Sequence, residues 1–179
     1  MTTVAGTDRR ELVYERVVAG LREAGVGFAA SLPDDWVLPM CRVLDRTDGV
    51  QHVRVAREPE IIGLCCGSFF AGVRAVGVMG ATGFLTCASE IASLSRRYQI
   101  PLVLVVSQRG TVYDHQIFQE VQGRTARPVA DALGIRSVVL DRAEKVDLVA
   151  DAVESARVQK RPVVLWMSKA LLTDRPAES

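Results

Sequence analysis

Residues 101–107 read PLVLVVS, an apolar run that begins with a proline and ends with a serine. A run of this length, rich in valine and leucine, is typical of a strand that is buried on both faces. Such strands belong to parallel sheets with helices on both sides, because each face of the sheet must be covered. This stretch therefore predicts an α/β protein built on a parallel sheet.

Apolar and amphipathic segments alternate on both sides of this strand. The apolar segments predict further strands at residues 27–32, 50–55, 74–79, 136–140 and 163–168. The segments between them predict helices at residues 9–24, 34–44, 60–70, 84–97, 119–133 and 145–158. The alternation predicts a single doubly wound domain with a central, mostly parallel sheet of about six strands. We expect it to span residues 9–173, between tails at residues 1–8 and 174–179.

The composition argues against several classes of protein. The 179 residues include 22 basic and 21 acidic side chains, for a net charge of +1. This balance carries no electrostatic signature of binding to nucleic acid or to an anionic membrane. No apolar run approaches the roughly 20 residues that span a bilayer, and the polar N-terminus lacks the apolar core of a secretory signal. We therefore expect a cytoplasmic protein whose four cysteines, which have no metal-ligand spacing, are buried and reduced.

Four polar segments follow predicted strands, at residues 33–35, 57–60, 80–83 and 108–119. Ligands of parallel sheets bind beyond the carboxyl ends of the strands, so candidate site residues are expected in these segments. The second segment places Glu58 at the start of a predicted helix, where the helix dipole favours a carboxylate. An ordinary acidic helix start on the surface is the alternative interpretation of this residue.

The third and fourth segments carry weaker signals. Residues 80–83 read GATG, which lacks the glycine pattern of phosphate-binding loops. Residues 108–119 contain Arg109, His115 and Gln119 in a loop long enough to be functional. A histidine there could act as an acid or base, although a lone loop histidine is more often simply solvated. No spacing in the chain predicts a Ser/His/Asp or Cys/His triad.

Two glycines interrupt the helix predicted at residues 60–70. Gly63 and Gly67 are four positions apart and share one helical face. Each costs about 1 kcal/mol of helix stability relative to alanine, which suggests that another backbone approaches this face closely. That backbone belongs either to a neighbouring element of the same chain or to another subunit.

Together, the four segments resemble the pyrimidine-binding domain of thiamine-diphosphate enzymes. SLPDDW at residues 31–36 is similar to that family's first-strand loop, and AREPEIIGLCCG at residues 56–67 to its glutamate motif. IPLVLVVSQRG at residues 100–110 is similar to its strand ending in Arg-Gly, and QEVQGRTARPVADALGI at residues 119–135 to the helix that follows. Within the family, the chain resembles the small (alpha) subunit of sulfopyruvate decarboxylase and the related phosphonopyruvate decarboxylases over nearly its full length.

The resemblance implies roles for individual residues. The family's catalytic glutamate is followed by glycines after five and nine positions, and this spacing selects Glu58 rather than Glu60. Such a glutamate bonds to N1′ of the cofactor's pyrimidine and promotes the imino tautomer that acts as base. Further implied cofactor contacts are Pro33 and Gly83, and implied substrate contacts are Asp34, Asp35, Thr82, Arg109, His115 and Gln119.

The resemblance also implies that the chain forms only half of a cofactor site. In this family a second domain, which begins with Gly-Asp-Gly, holds the diphosphate and Mg²⁺. No Gly-Asp-Gly occurs in this sequence, and no metal ligand is expected on it. A separate diphosphate-binding (beta) subunit carrying the Mg²⁺ ligands is therefore implied, in a hetero-oligomer that also self-associates through its pyrimidine domains. The implied reaction is decarboxylation of a small 2-oxo acid, sulfopyruvate or phosphonopyruvate.

Several positions depart from the family pattern. GATGFLT at residues 80–86 replaces an Asn-Ser-Gly-Leu-Gly-Asn type of run, and Glu120 replaces a histidine. Asp34 and Asp35 form a pair of acids where relatives have one, so either could be the active aspartate. Decarboxylation of another 2-oxo acid and a thiamine-dependent carboligase subunit therefore remain alternatives. A non-catalytic structural partner subunit and an α/β binding module unrelated to thiamine are alternatives from other classes.

Overall fold

A computed structural model describes residues 9–177 of the chain. Its strands are β1 (Val26–Leu32), β2 (Gln51–Arg54), β3 (Arg74–Met79), β4 (Leu102–Ser107), β5 (Arg136–Leu140) and β6 (Pro162–Met167). They form one sheet in the order β2-β1-β3-β4-β6-β5, and every pairing is parallel. The strand predicted from residues 101–107 is β4, which lies inside the sheet with every residue buried. The predicted α/β architecture is confirmed, with all strands rather than most of them parallel.

Helices cover both faces of the sheet. They are α1 (Arg9–Glu23), α2 (Leu38–Asp45), α3 (Glu58–Phe70), α4 (Ala81–Thr86), α5 (Ala88–Glu90), α6 (Ile117–Ala132), α7 (Val149–Gln159) and α8 (Lys169–Thr173). A π-helical segment (Ile91–Arg96) continues α5, and a 3₁₀ segment (Ala143–Leu148) precedes α7. Alternate residues of β4 contribute to two separate cores, one under α1, α2 and α7 and the other under α3, α4 and α6. Both faces of β4 are therefore buried, as the unbroken apolar run at residues 101–107 predicted.

The side chain of Ile61 on α3 occupies the space above a glycine of β3. A Cβ at Gly77 would lie 2.6 Å from Cγ2 of Ile61 and 2.7 Å from Cδ2 of Leu104. A larger residue at this position would therefore push the helix outward. The close contact between α3 and β3 sets the height at which the first turn of α3 stands above the carboxyl edge of the sheet.

Several element boundaries differ from the predictions. The helix predicted from residue 84 begins earlier, because α4 starts at Ala81, with Gly80 as an extended N-cap residue. The single helix predicted at residues 84–97 is instead interrupted around Cys87. The helix predicted from residue 60 begins at Glu58, and α8 was not predicted. Short helices are difficult to predict because a few residues show too little periodicity.

The remaining predictions concern membrane-spanning helices, the cysteines and the ends of the chain. No helix within residues 9–177 has the length and apolar character needed to cross a membrane. The four cysteines are free and buried, as predicted. The tail predicted at residues 1–8 lies outside the described residues, as do the last two residues of the predicted C-terminal tail. At the start of that tail, the Asp174 carboxylate pairs with Arg9 at 2.5 Å.

Candidate active site

The sheet has a topological switch point between β1 and β3, because the chain continues from β1 to β2 on one side and from β3 to β4 on the other. Loops leaving β1 and β3 diverge at such a point and leave a crevice at the carboxyl edge. A cavity of about 190 Å³ occupies this position, and we call it the first cavity. The predicted site residues that line it are Pro33, Asp34, Glu58, Thr82, Gly83, Arg109 and Gln119.

Glu58 and Glu60 stand at the start of α3 but make different contacts. Glu60 Oε2 accepts hydrogen bonds from the backbone N–H groups of Ala56 and Arg57, at 3.1 and 3.3 Å, and thereby caps the helix. The half-buried Glu58 carboxylate accepts no hydrogen bond from any described residue. Of the two glutamates, Glu58 is therefore the one whose carboxylate is available to a ligand.

Gly83 provides the surface against which Glu58 packs. A Cβ at Gly83 would lie 2.5 Å from Cγ, 2.6 Å from Oε1 and 2.8 Å from Cδ of Glu58. Only glycine leaves this space to the glutamate side chain. Cys87 lies nearby, and burial, with smaller contributions from the Glu58 and Glu90 carboxylates, raises the pKa of its thiol to about 12. The thiol is thus protonated at neutral pH and is a poor nucleophile.

Asp34 organises the loop after β1. Its Oδ1 accepts hydrogen bonds from the backbone N–H groups of Trp36 and Val37, at 3.0 and 3.1 Å. Its Oδ2 accepts a hydrogen bond from the Ser107 hydroxyl at 2.6 Å, which ties the end of β1 to the end of β4. Asp35 is exposed and makes no hydrogen bond or ion pair with the described residues. The two aspartates therefore have different environments.

Arg109 is held rigidly at the end of β4. Its carbonyl group packs on Gly123 of α6, where a Cβ would lie only 2.0 Å from the carbonyl carbon and oxygen. Its side chain is 9% exposed, and Nη1 lies 3.9 Å from Oδ2 of Asp34. The guanidinium donates no hydrogen bond to any described residue, and Nη1 is buried. A buried Nη1 with unused donors is costly, and an anionic ligand would satisfy it.

A second cavity, of about 270 Å³, adjoins the first. Arg109 and Gln119 line both cavities and therefore form their common boundary. The second cavity contains the two predicted residues that the first does not, Asp35 and His115, of which His115 is exposed. Its other lining residues are Trp36, Tyr113, Gln116 and Lys169, none of which was predicted.

Lys169 anchors the loop that carries Arg109. Its Nζ donates a hydrogen bond to the Tyr113 carbonyl at 3.2 Å, forms an ion pair with the buried Asp114 carboxylate and lies 4.5 Å from the Trp36 ring centroid. Asp114 Oδ2 in turn accepts a hydrogen bond from the Gly110 N–H at 2.7 Å. Lys169 follows β6. The rule that ligands bind beyond the carboxyl ends of parallel strands would therefore also have selected this residue.

Thr82 contributes mainly to the wall of the first cavity. It is exposed, and its hydroxyl donates a hydrogen bond to Oε1 of Gln122, which joins α4 to α6. Within residues 9–177, no group of three or more His, Cys, Asp or Glu residues is placed to hold a metal ion.

A relay that the sequence did not predict lies beside the site, buried at Ser31 and at the His52 side chain and exposed at Asp45. The Ser31 hydroxyl is 2.8 Å from Nε2 of His52, and Nδ1 of the same ring is 2.7 Å from Oδ1 of Asp45. An imidazole with its proton on Nδ1 satisfies both contacts. Ser31 is fully buried and lines neither cavity, so the relay joins β1, β2 and α2 rather than presenting a nucleophile.

The face of α3 that carries Gly63 and Gly67 is open. No atom of the described residues lies within 4 Å of a Cβ built on either glycine. Leu64 is 41% exposed and Phe70 is 77% exposed beside them. Close packing within the described part of the chain is therefore the wrong explanation for these glycines, and contact with another subunit is the alternative that remains.

Comparison with known proteins adds independent information. No protein-family model matches the chain. The chain is 33% identical over 124 residues to sulfopyruvate decarboxylase subunit alpha of Methanothermobacter thermautotrophicus, covering 69% of this chain and 73% of that protein. It is 27% identical over 156 residues to the subunit of the same name from Methanococcus maripaludis, covering 86% and 92% of the two chains.

A third relative is a longer protein. The sulfopyruvate decarboxylase of Methanosarcina acetivorans, whose name specifies no subunit, is 24% identical over 155 residues. The match covers 86% of this chain but only 39% of the relative. The longer protein therefore has a large region without a counterpart in this sequence.

Among solved structures, the chain is similar to a 2-oxoglutarate:ferredoxin oxidoreductase from Magnetococcus marinus, determined with 2-oxoglutarate, coenzyme A and succinyl-CoA bound. The TM-score is 0.66 at 15% identity, and the match covers 89% of this chain and 29% of the other. At this identity the similarity concerns the fold alone, and it agrees with the predicted α/β fold.

Proposed function

Because the chain belongs to the family of sulfopyruvate decarboxylase alpha subunits, which are lyase subunits, we propose that it is the pyrimidine-binding subunit of a thiamine-diphosphate-dependent 2-oxo acid decarboxylase. The observation that carries the proposal is the Glu58 carboxylate. It lies against Gly83 in the first cavity, without a hydrogen bond from the described residues. A carboxyl group with these properties suits a ring nitrogen that must share a proton with the protein.

In this proposal Glu58 holds a proton at N1′ of the bound pyrimidine. Thiamine diphosphate, when bound, supplies a nucleophilic carbon and an acceptor for the electron pair released with CO₂. Gly83 keeps Glu58 in position, and Pro33 contributes an apolar part of the cavity wall. The hydrogen bonds of Asp34 hold the loop after β1 in place, so that this side of the cavity is rigid before the cofactor arrives.

The proposed substrate is sulfopyruvate, which the names of the relatives support. Phosphonopyruvate has the same carbon skeleton with a different anion at its end and is the second substrate to test. Arg109 and Gln119, on the wall of the first cavity, are the side chains best placed to contact such an acid.

A diphosphate-binding (beta) subunit is proposed to complete the site and to carry the Mg²⁺ ligands. The designation alpha in the names of the relatives and the extra length of the Methanosarcina relative support this proposal. Exposed apolar side chains beside the first cavity also favour a partner surface there; they are Ile117, Phe118 and Val121 of α6. The open glycine face of α3 is the proposed surface for self-association.

The proposal can be tested by co-expressing the chain with its adjacent reading frame and measuring CO₂ release from sulfopyruvate, phosphonopyruvate and pyruvate. Release should require both thiamine diphosphate and Mg²⁺. The Glu58→Gln variant should lose about 10²–10⁴-fold in kcat, since its amide cannot share a proton with N1′ in the same way. Glu60→Gln is the matched control and should retain turnover, because Glu60 caps the helix. Wild-type turnover in a folded Glu58→Gln complex would refute the assignment.

A further inference from the structure

A third cavity, of about 200 Å³, lies at the amino ends of β3 and β4, at the edge of the sheet opposite the candidate site. None of its lining residues also lines the first or the second cavity. We propose that this amino-edge cavity binds a small organic acid with a compact apolar body and one carboxylate, and that Arg74 binds the carboxylate. The inference goes beyond the proposed function and does not depend on it.

The cavity opens where the two central strands of the sheet separate. The pairing of β3 with β4 begins at Val76 and Val103, so that Arg74 and Ala75 pair with β1 alone. Just before β4, Pro101 has no N–H group to offer to a neighbouring strand. The strand pair therefore leaves a gap at this edge, and the second halves of α3 and α7 flank it.

The walls of the cavity are apolar. Two small side chains, Ala75 on β3 and Ala156 on α7, leave the space free, and larger apolar side chains surround it, among them Phe69, Val103 and Val153. Apolar walls hold water poorly, whereas they favour an apolar ligand. The volume equals that of about seven water molecules at roughly 30 Å³ each, which suits a ligand of about seven to ten non-hydrogen atoms.

The mouth of the cavity carries a net positive charge. The half-exposed Arg74 and Arg157 line the cavity, whereas the Glu154 carboxylate between them does not. Arg157 donates from Nε to Oε2 of Glu154 at 2.8 Å and from Nη2 to Oε1, so that these two charges offset each other. The Arg74 charge remains, because its Nη1 lies 4.0 Å from the same carboxylate.

Arg74 also keeps unused hydrogen-bond donors. Its Nη1 donates to the Ala24 carbonyl, but Nε and Nη2 donate no hydrogen bond to any described residue. Nε and Nη2 form one side of the planar guanidinium and can donate two parallel hydrogen bonds to a carboxylate. The bond to Ala24 holds the arginine in place, so that it loses less conformational freedom when a carboxylate binds.

These features together define the chemical class of the ligand. Burial of an apolar body in the gap removes apolar surface from water. A carboxylate at the mouth meets the free side of Arg74, whereas a neutral group would leave it unused and a cation would be repelled. The ligand class is therefore a monocarboxylate with a branched or aromatic body that is small enough for the cavity.

The test is a ligand-observed NMR titration of the co-expressed complex and of the isolated full chain, using saturation transfer from the protein. The probe is 4-methylpentanoate, and the references are its neutral amide and acetate, which has the charge without the apolar body. The wild-type complex should bind the probe with a Kd of about 0.1–1 mM, at least about fivefold more tightly than either reference.

Two charge variants test the role of Arg74. Arg74→Gln should weaken binding of 4-methylpentanoate about tenfold and leave binding of the amide unchanged. Glu154→Gln removes the negative charge beside the mouth and should tighten binding of the acid a few-fold. Arg16→Gln is the matched control and should change nothing. Arg16 is likewise half-exposed, donates to one backbone carbonyl and pairs with one carboxylate, but it does not line the cavity.

A cavity-filling variant tests the location. Ala75→Leu places a larger apolar side chain in the gap and should abolish binding of both 4-methylpentanoate and its amide. Thermal unfolding of the same variant checks that it is folded. Because the substitution lies at the amino edge, it leaves the lining of the first and second cavities unchanged.

Three results would overturn the inference. The first is wild-type affinity for 4-methylpentanoate in Arg74→Gln and in folded Ala75→Leu, since the acid would then bind elsewhere. The second is equal affinity for the acid and its amide. The third is binding to the isolated chain but not to the complex, since a partner subunit would then cover the cavity. Binding is measured without turnover, so the proposed function can fail while this site stands, and the reverse.

Discussion

The two glutamates at the start of α3 differ in the hydrogen bonds that their carboxylates accept. Glu60 caps α3 through two backbone N–H groups, whereas Glu58, two positions earlier, keeps its carboxylate free of hydrogen bonds from the described residues. The environment of Glu58 depends on a single absent methyl group, since a Cβ at Gly83 would overlap it. The difference between a surface glutamate and a candidate catalytic one is therefore decided by one glycine that is distant in sequence.

The Gly83→Ala variant tests this dependence. The new Cβ would lie 2.5 Å from Cγ of Glu58 and should displace the carboxylate. A shift of about 1 Å in a catalytic group costs on the order of 10²-fold in rate, so kcat should fall by about that factor and the affinity for thiamine diphosphate should weaken. Steady-state kinetics and cofactor titration measure both.

The fold should survive this substitution, because alanine favours a helix over glycine by about 1 kcal/mol. Gly27→Ala is the control, since a Cβ there meets nothing closer than 3.7 Å. It should leave kcat and cofactor affinity unchanged. Full activity in Gly83→Ala would mean that the position of Glu58 does not matter for turnover.

The placement of α3 depends on two contacts between elements. Gly77 lets α3 approach β3, and the Ser31–His52–Asp45 relay joins the edge strand β2 to β1 and α2. Strand β2 is only four residues long and pairs with β1 alone, so the relay is a substantial part of its attachment. Because β2 leads directly into the loop before Glu58, its register determines where α3 begins.

We expect His52→Phe to lower the free energy of unfolding by about 1–3 kcal/mol at pH 7, because it leaves the buried Ser31 hydroxyl without its partner. Urea denaturation measures the change. His115→Phe, the same substitution on an exposed loop, should have little effect on stability. An unchanged unfolding free energy in His52→Phe would show that the relay does not hold β2.

The loss of unfolding free energy in His52→Phe should also depend on pH. Burial acts to raise the pKa of Asp45, but hydrogen bonds and charges from His52 and Arg54 outweigh it and lower that pKa. A carboxyl group with a lowered folded-state pKa adds stability above its unfolded pKa of about 3.9 and loses it as the pH falls through the folded value. The part of the His52→Phe deficit that comes from Asp45 should therefore be full at pH 7 and shrink below about pH 4, whereas the part that comes from the Ser31 hydroxyl should not change.

At the scale of the whole molecule, surfaces that would normally be covered are open. The α3 face with Gly63 and Gly67 meets no described residue, and apolar side chains of α6 are exposed beside the first cavity, Ile117 among them at 82%. Contiguous apolar exposure of this kind is typical of interaction surfaces. Phe118 of the α6 group lines the first cavity, and the α3 face lies on the helix that begins with Glu58, an arrangement consistent with the proposal that other subunits complete the site.

Gly67→Ala should stabilise the isolated chain and weaken its assembly. The isolated chain should gain about 1 kcal/mol in stability, because the new Cβ meets no atom and alanine favours the helix. The assembly should weaken, because the Cβ keeps the neighbouring backbone from approaching. Thermal unfolding measures the first effect, and sedimentation of the complex over a range of dilutions measures the second.

Val158→Ala, at an exposed position of α7, is the control for assembly and should leave it unchanged. If Gly67→Ala complexes dissociate at the same concentration as wild type, this face of α3 is not where the subunits meet.

Much of the fold was predictable because its signals are local. The apolar run of β4 and the alternation around it required a covered parallel sheet, and all six predicted strands are present. The positions of the candidate site residues followed from one geometric rule, that parallel strands end at the same edge. The selection of Glu58 over Glu60 came from the resemblance, because the glutamate of that family is followed by two glycines at the spacing that Gly63 and Gly67 have from Glu58.

What the amino-acid sequence determined by itself, then, was the architecture and the edge that carries the candidate site, while the choice of Glu58 as its glutamate came from the family resemblance. Only the tertiary structure revealed the second cavity with Trp36 and Lys169, the relay through His52 and the open face of α3. These features join residues from separate elements, and their contacts depend on strand order, helix height and side-chain burial. Hydrophobic periodicity records which face of an element is buried, but it does not record which distant side chains meet there.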